Sequence, residues 1–152
     1  MTSCGAEPAA GVRAPAEALV LHVPTEPEHV APSRRAVHAY LVAHAVPPPV
    51  ADDVRLVASE LITNAIRHGR SLGPVDVEVA LRPPAEIVLQ VSNDGPVARI
   101  PPVDRWDLAP PLALSGRGLG IVRRLCDAIE VHGDDHVATV VCRRRWQSGS
   151  QP

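Results

Sequence analysis

The sequence predicts an α+β domain: a two-layer sandwich with helices on one face of a mixed, mostly antiparallel sheet. In two segments, 27–45 and 50–67, apolar residues recur every three or four positions, as in helices that bury one side. Five shorter runs have the alternation or the β-branched content typical of strands, at 18–23, 75–81, 86–92, 128–131 and 136–143. A further helix is predicted over 116–126.

Length and composition bound the domain organisation. A chain of 152 residues that is 45% hydrophobic and 21% charged is expected to form one compact domain. We assign 17–144 to this domain, 1–16 to a disordered arm rich in Ala, Gly and Pro, and 145–152 to a flexible tail. No targeting segment is apparent and no apolar run reaches membrane-spanning length, so a cytoplasmic location is expected.

Charge and cysteine content exclude several function classes. The net charge of −2 gives no general case for binding nucleic acid or a membrane surface. Cys4, Cys126 and Cys142 have no metal-site spacing, and their odd number argues against a disulfide framework. All fifteen basic residues are arginine, so any phosphate must be contacted by arginines such as Arg117 or Arg123, or by backbone donors.

The predicted elements are bounded by turn formers. The three prolines at 47–49 end the first helix, and Gly69 is a candidate C-cap of the second. The strands at 75–81 and 86–92 are expected to pair across the connection 82–85, and the second is expected to end in a turn at 93–96. A hairpin turn is predicted at 133–135. The proline-rich segment 96–114 is predicted to be a functional loop, as lids often are.

The helix at 50–67 carries the first candidate site. Glu60, Asn64 and His68 form a column along one border of its apolar stripe, whereas Thr63 and Arg67 are predicted to face solvent. A carboxamide oxygen suits a Mg²⁺ ion that takes its other ligands from phosphates and water. A carboxylate one turn away is placed to accept a proton from an attacking hydroxyl. The alternative is a pair of ordinary polar residues at a helix boundary.

The second candidate site is the glycine run at 116–120, GRGLG. Ser115 is a candidate N-cap for the helix that follows. Gly116, Gly118 and Gly120 allow close approach of a ligand to the helix start, whose free N–H groups favour phosphate oxygens. The alternative is a glycine-rich hinge before a core helix.

Together these segments resemble the superfamily of gyrase, chaperone, histidine-kinase and mismatch-repair ATPases, which has the Bergerat ATP-binding fold. Within it, the chain is most similar to bacterial anti-sigma factors that are also serine-protein kinases, and to their actinobacterial-type relatives. The resemblance rests on four segments in order: 59–69 (SELITNAIRHG) resembles the N box, 91–95 (VSNDG) and 116–122 (GRGLGIV) the two glycine boxes, and 138–141 (ATVV) the last strand.

The resemblance implies a role for each matching residue. Asn64 would hold Mg²⁺ and Glu60 would act as the base in phosphoryl transfer from ATP. The residues of the second glycine box would form the phosphate lid: Gly116, Arg117, Gly118, Leu119 and Gly120. Those of the first box and last strand would surround adenine: Asn93, Asp94, Gly95 and Thr139. The chain departs from the family pattern at Asn93, where aspartate is usual, and at Val97, where many members have glycine.

The leading hypothesis from the resemblance is an anti-sigma-type serine/threonine protein kinase that uses Mg-ATP. It would phosphorylate a small antagonist protein and otherwise hold a sigma factor inactive, and the possibility of a homodimer stays open. The alternative is a non-catalytic regulatory module of the same fold that binds a protein partner with or without nucleotide, a reading that the departures at Asn93 and Val97 favour. A detached histidine-kinase catalytic domain is a third hypothesis.

Overall fold

The computed structural model describes residues 17–70, 73–107 and 117–148. Within these ranges five strands form one sheet in the order β1-β2-β3-β5-β4. Their bounds are Leu19–Val23 (β1), Val75–Arg82 (β2), Glu86–Asp94 (β3), Ala128–Gly133 (β4) and Val137–Arg145 (β5). The predicted α+β class is confirmed, and within the described ranges all four strand pairings are antiparallel.

The sheet buries one of its faces, as the alternation in the sequence predicts. Along β2, Val75, Val77 and Val79 are buried while Asp76 and Glu78 are exposed. In the register of the central strands, Val77 lies opposite Val91 of β3, which in turn lies opposite Val140 of β5. This continuous apolar face is the floor on which the helices pack.

In the described residues three α-helices accompany the sheet: α1 (Val30–Ala43), α2 (Pro48–His68) and α3 (Gly118–Leu125). The first turn of the helix predicted from residue 27 is a 3₁₀ turn, Pro27–His29. Of the three prolines predicted to end α1, Pro48 also begins α2, because a first-turn residue needs no N–H donor. The central α2 buries Val54, Val57 and Leu61.

Two local predictions at the ends of elements need correction. Asn93 and Asp94 do not form a turn: both continue β3 and pair with Ala138 and Val137. Gly69 does occupy the C-cap of α2, but with extended backbone (φ −75°, ψ 168°) rather than the left-handed conformation common at glycine caps. A glycine is needed there because a Cβ would lie 2.6 Å from the carbonyl oxygen of Ala65.

The start of α3 also differs from the prediction. The helix begins at Gly118, with Arg117 in the N-cap position and no side-chain capping bond. Ser115, the predicted cap, lies outside the described residues, as does Gly116.

Of the loop predicted over 96–114, residues up to 107 are described, and they are anchored to the domain. They contain two 3₁₀ turns, Val97–Arg99 and Val103–Arg105. Trp106 is only 2% exposed and belongs to the hydrophobic core, and its indole N–H donates to the carbonyl of Pro101 at 2.8 Å. This part of the loop is therefore a packed element.

The sheet extends beyond residue 144, the predicted end of the domain. β5 runs to Arg145, and the backbone N–H of Trp146 donates to the carbonyl of Ala85 at 3.1 Å. Cys126 and Cys142 are free thiols, and a hydrogen bond between them together with burial raises the pKa of Cys142. No helix in the described ranges is long and apolar enough to cross a membrane.

Candidate functional site

A cavity of about 710 Å³ lies where α2, the loop at 99–107 and the start of α3 meet. Its size is in the range typical of small-molecule sites. The lining residues are Glu60, Thr63, Asn64, Arg67, His68, Arg99, Pro101, Arg105, Trp106, Asp107, Gly118 and Leu119. The cavity thus joins the N-box helix to the second glycine run, as expected from the two motifs.

The carboxylate of Glu60 packs directly on the backbone of Gly118. A Cβ added to Gly118 would overlap Glu60 Oε2 and would lie 3.4 Å from its Cδ. A side chain at residue 118 would therefore displace the Glu60 carboxylate from this position. The same contact places the carboxylate at the first residue of α3, whose N-terminal N–H groups favour negative charge.

Asn64 lies one helical turn after Glu60 on α2, half-buried, and faces the same cavity. His68, the third residue of the predicted column, lines the cavity as well. Arg67 is exposed, as predicted, and Thr63 is half-buried; both also line the cavity. The cavity-facing arc of α2 is therefore wider than one column.

Positive charge comes from one arginine within the N-box segment and two outside the quoted motifs. Arg67 of α2 and Arg99 and Arg105 of the loop line the cavity, together with one further carboxylate, Asp107. Arg123, a candidate phosphate contact, does not line it. Its guanidinium instead donates to the carbonyl of Asp104 at 3.0 Å and to the Asp107 carboxylate at 3.2 Å. No signal in the sequence pointed to Arg99 or Arg105, because neither belongs to a periodic element.

The residues of the first glycine box lie beside the cavity and do not line it. The side-chain amide of Asn93 donates to the carbonyl of Asp94 at 3.1 Å and lies close to Gly69, at the end of α2. The same carbonyl accepts the backbone N–H of Arg70 at 2.8 Å. Gly95, with φ +150°, is buried against this junction. The box thus ties the end of β3 to the end of α2.

Thr139 is placed away from these residues. Its hydroxyl is 2.8 Å from that of Ser92, across the pairing of β5 with β3. Its neighbours Ala138 and Val140 are buried on the helix-covered face, so Thr139 points to the opposite face of the sheet. The structure therefore does not bring Thr139 to the cavity that holds Glu60 and Asn64.

The second glycine box is represented in the cavity by Gly118 and Leu119. Gly120 is buried behind them in α3, and Arg117 is exposed at the N-cap. Of the five predicted lid residues, Gly116 lies outside the described ranges.

The donors in the cavity fit a magnesium nucleotide. A carboxamide and a carboxylate one turn apart offer hard oxygen ligands, and the guanidinium groups offer charge-assisted hydrogen bonds to phosphate. In the described part of the chain, no cluster of three His, Cys, Asp or Glu side chains could hold a metal alone. A divalent cation at Asn64 would accordingly take most of its ligands from phosphates and water.

Comparisons with known proteins agree with this fold. Residues 23–144 match the family described as histidine kinase-like ATPase domain. The chain is 24% identical over 135 residues to the serine-protein kinase RsbW of Listeria monocytogenes serovar 1/2a, covering 82% of this chain and 85% of that protein. The corresponding kinase from L. monocytogenes serotype 4a is 23% identical, with the same coverage.

Two solved structures share the fold. The RsbU and RsbW domains of Rv1364c from Mycobacterium tuberculosis superpose with a TM-score of 0.66 and 17% identity, over 88% of this chain and 33% of that one. The SiaB-SiaC complex from Pseudomonas aeruginosa superposes with a TM-score of 0.61 and 18% identity, over 82% of this chain and 88% of the other.

Proposed function

The chain belongs to the family of histidine kinase-like ATPase domains, and on this premise we propose that it is an anti-sigma-type serine/threonine protein kinase that uses Mg-ATP. The substrate would be a serine of a small antagonist protein, and the second partner a sigma factor, both in the cytoplasm. The similarity to serine-protein kinases over 82% of the chain supports this reading.

One observation carries the proposal. Glu60 and Asn64 face one cavity from adjacent turns of α2, and Gly118 fits against the Glu60 carboxylate with no room for a side chain. The arrangement brings a candidate base, a candidate metal ligand and the start of the glycine box to one place.

Each residue has a distinct task in the proposed reaction. Asn64 would hold Mg²⁺, which when bound neutralises charge on the phosphates. Glu60 would accept the proton of the substrate serine hydroxyl. The serine oxygen would form a bond to the γ-phosphorus while the bond between the γ-phosphorus and the ADP oxygen breaks. The start of α3 would supply N–H donors to phosphate oxygens. Catalysis in such a site is mainly positioning and charge stabilisation.

A second candidate function is a regulatory module that binds a protein partner without catalysis. Two departures from the family pattern favour it. The side-chain amide of Asn93, where aspartate is usual, donates to the carbonyl of Asp94. Val97, where many family members have glycine, is the first residue of a 3₁₀ turn. The fold similarity to a protein solved as the SiaB-SiaC complex is compatible with either candidate.

Transfer of labelled γ-phosphate from ATP to candidate antagonist proteins separates the two. We expect transfer by the wild type, loss of transfer by Glu60→Gln, and equal ATP binding by both. Asp52→Asn, an exposed carboxylate on the same helix, serves as the matched control and should keep full activity. ATP binding without transfer to any candidate would favour the module, and transfer that survives Glu60→Gln would contradict the assigned base.

A further inference from the structure

We propose that Cys126 and Cys142 are a redox-sensitive thiol pair, which a peroxide converts into a disulfide that fastens the end of α3 to β5. A small thiol compound would reduce the bond and release the helix. Neither cysteine lines the cavity that holds Glu60 and Asn64. The inference therefore goes beyond the proposed function: it assigns a site of reversible oxidation that does not depend on nucleotide binding.

The two cysteines meet between the helix layer and the sheet. Cys142 is 2% exposed and belongs to the hydrophobic core, against which the partly buried Cys126 packs. A hydrogen bond joins the two side chains. They are 16 positions apart in the sequence and belong to different elements, since Cys126 is the C-cap of α3 and Cys142 lies in β5. This tertiary contact supplies the proximity that a disulfide needs.

Backbone hydrogen bonds hold the contact in place. The N–H of Cys126 donates to the carbonyl of Val122 at 3.1 Å, which closes the last turn of α3. The next residue, Asp127, donates from its N–H to the carbonyl of Arg143 at 2.8 Å, and its carboxylate accepts the N–H of Arg145 at 2.6 Å. Each cysteine thus immediately precedes one of the two residues of the Asp127–Arg143 bond, which keeps the connection from α3 to β4 on β5.

The two thiols differ in access and in acidity. The hydrogen bond with Cys126, together with burial, raises the pKa of Cys142, so this sulfur keeps its proton. Cys126 is half-buried, so solvent reaches part of it. Because the thiolate is the form that reacts with an oxidant, attack begins at Cys126, and Cys142 serves as the resolving thiol.

The reaction balances with hydrogen peroxide as the oxidant. The Cys126 thiolate attacks one peroxide oxygen, the O–O bond breaks, and the released hydroxide takes a proton from solvent to become water. The sulfur of Cys142 then attacks the Cys126 sulfenic acid. The S–S bond forms, the S–O bond breaks, and the leaving hydroxide takes the Cys142 proton and departs as water. The two sulfurs together lose two electrons, which the peroxide gains.

The disulfide would act on a short element. Helix α3 has eight residues, and a helix of this length depends on tertiary contacts for its stability. Its first residue, Gly118, touches the Glu60 carboxylate, so a bond at its end fixes the helix that carries this contact. We expect the backbone amides of α3 to exchange their hydrogens more slowly in the oxidised protein than in the reduced protein.

The test treats the reduced full chain with hydrogen peroxide and then with an alkylating agent, and maps the cysteine peptides by mass spectrometry. The wild type should lose two hydrogens as a Cys126–Cys142 disulfide, which dithiothreitol reverses. Cys4→Ser is the matched control and should form the same bond. Cys142→Ala should stop at a sulfenic acid on Cys126, which dimedone traps, and Cys126→Ser should leave Cys142 reduced. Thermal unfolding establishes that each variant is folded.

Three results would overturn the proposal: a Cys126 sulfenic acid that persists in the wild type, a disulfide that involves Cys4 or a second chain, and no reaction at either thiol. Equal hydrogen exchange of α3 in the oxidised and reduced wild type would overturn the fastening of the helix. These readouts need only the wild type and Cys4→Ser, so they stand even where a substitution of Cys142 unfolds the protein. None involves ATP, so a failure of the kinase proposal is distinguishable from a failure here.

Discussion

Gly118, at the first position of α3, touches the carboxylate of Glu60 so closely that a methyl group in place of its hydrogen would overlap Glu60 Oε2. The contact joins two segments that are 58 positions apart in the sequence, the N-box helix and the second glycine box. The absence of a side chain at residue 118 therefore leaves space for the carboxylate of another helix. This role is separate from the backbone freedom for which glycine runs are usually noted.

Replacement of Gly118 by alanine tests this contact. Alanine suits a helix better than glycine, so any shortfall from this gain must come from the clash with Glu60. Because the overlapping atom is the flexible end of the Glu60 side chain, we expect Gly118→Ala to push the carboxylate aside and to stabilise the protein by less than the roughly 1 kcal/mol that alanine gains over glycine in a helix. In a Glu60→Ala background the same substitution should stabilise the protein more, because the clashing carboxylate is gone. Equal effects of Gly118→Ala in both backgrounds, measured by urea unfolding, would contradict the contact.

Trp106 anchors the loop at 99–107 to the core and offers a second prediction. Trp106→Ala should lower the free energy of unfolding by about 3–5 kcal/mol, since a large buried side chain is lost. Trp106→Phe should cost less, although it removes the hydrogen bond to Pro101.

The variant Trp146→Phe, which is the control for these substitutions, leaves Trp106 as the only tryptophan. In that variant, ATP should change the emission of Trp106 because the residue lines the cavity; a spectrum unaltered by saturating ATP would argue against this binding position.

Glu86 gives a prediction for acid stability. The hydrogen bond from Arg145 is the main cause that lowers the pKa of Glu86, with a smaller effect from Arg143. A lowered folded-state pKa contributes stability above the unfolded-state value of about 4.3, and that contribution is lost as the pH falls through the folded-state pKa.

Glu86→Gln should therefore lower the free energy of unfolding by about 1 kcal/mol or less at pH 7, the size expected for a partly exposed ion pair. The difference from the wild type should shrink when thermal unfolding is followed down to pH 3. Glu78→Gln, at an exposed position of β2, is the control and should show no such trend. A constant gap across this pH range would mean that the ion pairs with Glu86 do not contribute.

Much of the fold could be predicted because its elements have clear periodicity. The alternation Val75-Asp76-Val77-Glu78-Val79 indicated which face of β2 is buried, and the stripe of α2 indicated which side meets the sheet. The element ends were less predictable. Asn93 and Asp94 have turn-forming side chains, yet pairing with β5 keeps them extended, because tertiary hydrogen bonds outweigh a weak local preference.

The site was predictable only where its residues share an element or a motif. Glu60 and Asn64 are one turn apart on a helix, so their spacing alone places them together. Arg99 and Arg105 reach the same cavity through two 3₁₀ turns and a buried tryptophan, an arrangement with no repeating pattern in the sequence. Thr139 matched a family motif, but the pleat of β5 turns its side chain to the other face of the sheet.

The central claim is that the side chain of Asn64 holds the divalent cation that accompanies ATP. The most direct measurement is titration of the wild type and of Asn64→Ala with ATP, with Mg²⁺ and with excess chelator. The wild type should bind ATP more tightly with Mg²⁺ than with chelator. Asn64→Ala should lose this gain, so that its affinity for ATP in Mg²⁺ is lower than that of the wild type by more than about tenfold, as for a disrupted metal site. Mg²⁺-dependent ATP binding of equal strength in the two proteins would contradict the account.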